Sequence, residues 1–366
     1  MKDQQPVSVV RLRAAALQTE NPQRLRQRLA AAAGRSRVSY LAQRQTAFAA
    51  QLIHHGRPMP LAEARAEAER LRHDPEVEWV VINEVERQQA LADEPLYPQQ
   101  SWMQDSDGVA SPNIPSAWNM LSTLSSPHSP LSQVVVAVLD TGVIRHPDLT
   151  DQRVLFTQGY DFVSEVEYGN DGNGIDPDAT DPGDYLTSTQ FNGNRTLYQD
   201  CGGVHSSSWH GTEVTGMLAA TVDNGRGIAG MLPAIPNAPR VLPVRIAGQC
   251  GASVIDILEG ILWAAGIQYN GMPQANPNPA RVINLSFGGD GGCACDRGSS
   301  LQSGACLYQD AIAALKQKGA ILVAAAGNSS GVLVSGGAET SRPASCPGAL
   351  AVTALNANGQ KARRSQ

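Results

Sequence analysis

Apolar and polar positions follow two different rhythms along the chain. In the first ninety residues, Val7-Ser8-Val9-Val10-Arg11-Leu12 alternates in the manner of a half-buried strand, and an Ala/Arg-rich helical stretch follows over 22–33. A second helix is predicted over 61–72. The run Val77-Glu78-Trp79-Val80-Val81-Ile82 then reads as a strand leading into polar Glu84-Val85-Glu86-Arg87-Gln88-Gln89. Residues 1–93 are therefore expected to form a small α+β domain, and 94–100, with Pro95 and Pro98, a linker. From Val134 onward the pattern changes. Short β-branched runs at 134–139, 241–246, 282–286, 321–326 and 350–354 are bounded by turn residues, and helices are predicted over 253–267 and 308–318. Apolar strands alternating with helices call for an α/β domain over 101–366, with a mostly parallel sheet covered on both faces.

Composition adds two constraints. The 35 glycines and 23 prolines signal many tight turns rather than a helical bundle. Charge divides unevenly: residues 1–93 hold 14 basic and 11 acidic side chains (+3), and the rest hold 14 and 23 (−9), giving the net −6. A mildly acidic main body gives no electrostatic case for nucleic acid; its carboxylates either serve bound cations or form an ordinary solvated surface. All six cysteines (Cys201, Cys250, Cys293, Cys295, Cys306 and Cys346) lie in the second part, an even count that predicts disulfides made in an oxidising compartment. The start, Met1-Lys2-Asp3-Gln4-Gln5-Pro6, lacks an apolar stretch of signal-peptide length, and no run is long enough to span a bilayer. The expectation is a secreted or periplasmic protein whose export signal has been removed or whose native start differs.

Candidate chemistry gathers at strand ends. Asp140 directly follows a buried strand and precedes Gly142, which puts its carboxylate at the carboxyl edge of the sheet, where open α/β folds place their sites. Taken alone it is either a turn cap or a catalytic acid. His210 opens a small-residue-rich, helical stretch over 211–220 and is expected at the same edge. The loop 170–184 packs Asp171, Asn173, Asp176, Asp178, Asp181 and Asp184 among glycines, the hard-oxygen setting that calcium prefers; a solvated acidic loop is the alternative. The run Gly327-Asn328-Ser329-Ser330-Gly331 fits a nucleophile elbow, but in that fold the acid and histidine follow the serine, and no histidine follows His210.

Together, Val136-Ala137-Val138-Leu139-Asp140-Thr141-Gly142, His210-Gly211-Thr212, Asn284-Leu285-Ser286-Phe287-Gly288-Gly289 and Ala324-Ala325-Ala326-Gly327-Asn328 resemble the subtilisin-like serine proteases from about Pro98 onward. The resemblance implies a subtilisin-like fold and peptide-bond hydrolysis by an Asp-His-Ser triad. His210 would accept the serine proton and Asp140 would fix its tautomer. Asn328 would donate to the oxyanion, while Leu285, Ser286, Phe287, Gly288, Ala325, Ala326 and Gly327 would line an extended peptide substrate. It also implies that residues 1–93 are an inhibitory propeptide, cut between about Gln89 and Pro95.

Asp148 and the loop 221–227, with Asp223 and Asn224, become further calcium candidates by the same resemblance. The cysteine pairs it suggests are Cys201–Cys250 and Cys306–Cys346, leaving Cys293 and Cys295 as a local pair or free thiols; a zinc site built from the last four cysteines is the competing reading. Glu213 stands where the family commonly has a second histidine, and is expected to face solvent rather than bind a metal. The departure is the nucleophile. No Gly-Thr-Ser-Met-Ala-like segment occurs, and Ser365 has neither a preceding glycine nor a following helix. The expectation is a serine endopeptidase precursor cut short before its nucleophile and inactive alone. The alternative is a catalytically dead relative that binds or inhibits peptides or proteases.

Overall fold

A computed structural model of the chain describes residues 7–12, 22–45, 51–57, 59–82, 94–103, 111–124, 134–198, 201–233, 235, 238–269, 271–272, 274–290, 292–295, 304–328, 341–356 and 358–362. It divides into two compact units, Met1–Ala90 and Leu91–Gln366.

The first unit holds strands β1 (Val7–Leu12), β2 (Tyr40–Gln45), β3 (Gln51–His55) and β4 (Val77–Ile82), with helices α1 (Pro22–Arg35) and α2 (Leu61–Arg72). Its antiparallel sheet runs in the order β2-β3-β1-β4. Val10 and Leu12 of β1 point the same way, as a period of two requires, and meet Leu25, Leu29 and Ala32 on one face of α1. Leu71, Ile53 and Val77 complete this small core. Strands β2 and β3 were not foreseen, because polar residues interrupt their apolar pattern.

The second unit is built on a six-stranded sheet. Its strands are β5 (Val135–Asp140), β6 (Tyr160–Asp161), β7 (Arg240–Arg245), β8 (Val282–Leu285), β10 (Ile321–Ala325) and β12 (Leu350–Val352), while β9 (Gly289–Asp290) and β11 (Ser341–Arg342) form a separate two-stranded piece. The order β12-β10-β8-β5-β7-β6 is parallel throughout. The helices are α3 (Ile114–Leu124), α4 (Val166–Gly169), α5 (Ser188–Gly193), α6 (His210–Ala219), α7 (Val254–Ala264) and α8 (Gly304–Lys318). Helix α7 is capped by Ser253, whose hydroxyl accepts the Asp256 N–H at 3.1 Å. It lays Ile257, Ile261 and Ala264 against Leu139, Leu242, Val244 and Ile246 of the sheet.

The stretch 94–100 is ordered: Tyr97–Gln99 forms a 3-10 turn, and Tyr97 and Met103 are buried against Val222 and Ala229. The Gln100 amide donates to Ala229 O at 2.9 Å and accepts the Ala229 N–H at 2.8 Å, closing a reciprocal pair. The expected cut between about Gln89 and Pro95 falls mostly outside the described residues. One expectation needs correction, and it concerns disulfides. Cys201–Cys250 forms, but Cys306 pairs with Cys295 and Cys346 with Cys293, each with Cα atoms 4.8 Å apart. The segment 292–295 crosses the start of α8, so each of its cysteines reaches a different partner within bridging distance. The four are thereby consumed, and a zinc site built from them is ruled out.

β12 differs from the other strands: Leu350, Val352 and nearby Leu355 are exposed at about half their surface or more.

Candidate active site

Parallel register aligns the carboxyl ends of three neighbouring strands. Leu139 on β5 is level with Leu285 on β8, and Leu285 with Ala324 on β10. Asp140, Ser286 and Ala325 therefore stand one step further on, in a row across the sheet edge, with strands spaced about 4.8 Å apart. Asn328 lies three residues beyond that row on the β10 side and is exposed. The structure thus brings the expected residues 285–288 and 325–328 to one edge together with Asp140.

Helix α6 delivers the histidine. His210 Nδ1 donates to Asp140 Oδ1 at 2.7 Å, with Asp140 fully buried and His210 partly open to solvent. The same carboxylate oxygen accepts the Thr141 N–H at 2.8 Å. The His210–Asp140 hydrogen bond raises the His210 pKa above its ordinary value against the opposing effect of burial, and the nearby charges of Asp140, Glu213 and Asp184 push it the same way.

The approach of α6 depends on Gly211. A Cβ there would overlap Gly142 O and press on the Asp140 Cβ, so only glycine lets the helix start rest on the Asp140–Gly142 turn. Thr141 locks the joint: its Oγ1 accepts the Gly211 N–H at 3.0 Å and donates to Asp181 Oδ2 at 2.7 Å. Asp181 is buried, which raises its pKa against the pull of the Thr141 hydroxyl and the Gly183 N–H. On the other side of the helix start, Asp184 accepts from Ser208 N at 2.6 Å and Ser208 Oγ at 2.7 Å, and Ser208 Oγ accepts the His210 N–H at 3.2 Å. Thr141 and Gly211 lie within the sequence motifs, Asp181 and Asp184 were read as calcium candidates, and Ser208 carried no signal.

A cleft of about 230 Å³ opens beside the pair, lined by Thr141, Asp184, Ser208, His210, Ser286, Phe287 and the backbone of Gly248 and Gly251. Phe287 meets the His210 ring edge-on, with centroids 5.9 Å apart. His205 holds one cleft wall: Nδ1 donates to Gly203 O at 3.0 Å, and Nε2 lies 2.9 Å from Asp184 O and 2.8 Å from Gln249 O. Only acceptors face this ring, which favours the doubly protonated form. Its pKa is raised, most of all by the Gly203 carbonyl.

The calcium loop does not gather as expected. Asp171 pairs with Arg245, a fully buried guanidinium that also contacts Asp161 and Gly169 O. Asp176 accepts from Asn173 at 2.6 Å and Asp178 from Thr180, while Asp181 and Asp184 serve the helix joint described above. Asp148 is buried and accepts from Asn224 Nδ2 at 2.7 Å, and Asp223 adopts a left-handed backbone. Among the described residues no group of three or more His, Cys, Asp or Glu could hold a metal ion. Glu213 is exposed, as its position on α6 suggested. Ser329 and Ser365 lie outside the described residues.

Comparison with known proteins agrees with this geometry. The profile of the subtilase family matches residues 132–366. The chain is 35% identical over 322 residues to an extracellular protease of Xanthomonas campestris pv. campestris, covering 87% of this chain and 48% of the relative. It is 32% identical over 307 residues to an extracellular basic protease of Dichelobacter nodosus, covering 82% and 44%. It therefore spans about half the length of these curated relatives. Among solved structures, a protease from Pseudoalteromonas arctica superposes with a TM-score of 0.58 at 36% identity, covering 75% of this chain and 69% of that one. The parallel sheet with its flanking helices is the subtilisin-like α/β fold, and the chain belongs to the subtilase family of serine proteases.

Proposed function

We propose that this chain is part of a serine endopeptidase precursor in which Asp140 and His210 supply the acid–base half of an Asp-His-Ser triad, and the nucleophilic serine comes from a segment outside these 366 residues. The observation that carries the reading is the 2.7 Å bond from His210 Nδ1 to the buried Asp140. With Nδ1 committed, Nε2 is the nitrogen left to take the serine proton and then return it to the leaving amine, while Asp140 steadies the imidazolium. The ends of β8 and β10 (285–288 and 325–327) offer backbone groups to an extended peptide, and the Asn328 amide serves the oxyanion. Apolar β12, exposed here, is the surface that a continuing segment would cover. In the same reading the first unit acts as an intramolecular inhibitor until it is cut away, and the protein is exported, as its extracellular relatives are named. Subtilases commonly bind calcium; in this reading the ion has a structural part in the 170–184 loop and no step uses it.

A second reading, a dead relative that only binds peptides, is favoured by the lack of a Gly-Thr-Ser-Met-like segment. Expression of the uninterrupted gene product, followed by fluorophosphonate labelling and peptide hydrolysis, separates the two. Labelling and turnover are expected, with Asp140→Ala and His210→Ala each lowering kcat by roughly 10⁴-fold or more. Full turnover in His210→Ala would overturn the triad.

A further inference from the structure

The charges that act on His210 are all of one sign. Beyond its partner Asp140, the neighbours whose fields reach the ring are Glu213 and Asp184. Asp184 also lines the cleft, together with Ser208, Gly248 and Gly251. Its two carboxylate oxygens take one hydrogen bond each, both from Ser208, which leaves further lone pairs free to accept. The Ser208 bonds and the His205 contact to its backbone carbonyl fix the carboxylate in place from both sides. No Lys or Arg among the described residues forms an ion pair with Asp184. A half-buried, immobilised carboxylate with no Lys or Arg partner among the described residues, facing only the imidazoles of His205 and His210 and set beside the acid–base pair in the cleft, imposes a charge preference on whatever binds there.

We propose that Asp184 determines specificity: the cleft selects extended peptides that carry a lysine or arginine side chain next to the scissile bond, and rejects those with a carboxylate there. This rests on the endopeptidase reading and names its substrate class. The basic side chain would donate to the Asp184 lone pairs that Ser208 leaves free, in a cleft that Phe287 also lines beside the His210 ring.

Binding to the chain from which the first unit has been cut and removed tests the idea without need of the nucleophile. The probes are fluorescein-labelled alanine octapeptides with Lys, Gln or Glu at either of the two central positions, read by anisotropy. The Lys peptide is expected to bind about fivefold tighter than the Gln peptide at low salt, the upper end for a partly exposed ion pair, and the Glu peptide more weakly still. This preference should shrink in 1 M salt. In Asp184→Asn the Lys and Gln peptides should come within twofold of each other, and Asp184→Glu should keep the preference. Asp184→Asn should also lower the His210 pKa in an NMR titration. Equal binding of Lys and Gln peptides to the native chain, or a preference untouched in Asp184→Asn, would overturn the proposal and leave the endopeptidase reading standing. Failure of every peptide to bind would overturn both.

Discussion

His210 concentrates the chemistry of this site in one ring. Its pKa lies above the ordinary 6.5 because Nδ1 is bound to Asp140. A base must be neutral to act, so kcat/KM of the serine-bearing protein should climb with pH through that raised value. Asp140→Asn should move the limb toward lower pH, and both shifts can be read by NMR of the ring carbons. His205 has the same sign. A histidine that holds its proton more tightly when folded contributes stability in full below the unfolded value near 6.5, and loses it as pH rises through the raised folded value. Asp140 and His210 could be found from the sequence because each sits at a strand or helix end beside glycine. Thr141, Asp181, Asp184 and His205 could not, since their roles exist only once distant loops meet.

At the scale of elements, the joint between β5 and α6 is the most demanding contact in the site. Gly211→Ala would drive a methyl group into Gly142 O, so the helix start must retreat. A shift on the order of 1 Å at a catalytic pair costs roughly 10²-fold in turnover. That loss should appear with little change in melting temperature, and a variant of native activity would show that the joint has slack. The disulfide Cys201–Cys250 ties the cleft wall across 49 residues of sequence. Replacing both cysteines by alanine should destabilise the second unit by about 4 kcal/mol on the chain-entropy estimate, measurable by denaturant titration. The long apolar strands were legible because a sheet covered on both faces demands continuous hydrophobicity. β6 was not, since two residues carry no period. Helix α3 also escaped, although Asn113 caps it by accepting the Ser116 N–H at 3.2 Å. The pairing of Cys293 and Cys295 could not be read from spacing, because partner choice follows the path of the chain over α8.

For the whole molecule, the division of charge bears on regulation. A leading unit of +3 and a remainder of −9 suit a basic inhibitor held by an acidic enzyme. Purified residues 1–93 should inhibit the active enzyme, more weakly as salt rises. Absence of inhibition at micromolar concentration would remove the propeptide assignment.

Arg245 gives the molecule one further property. Its register partner on β5 is Asp140 and its register partner on β6 is Asp161, so the Arg245 guanidinium stands within the sheet at the level of the Asp140 carboxylate. The counter-charge for this rim is covalently part of the chain, and cannot be diluted away or stripped by a competing ligand.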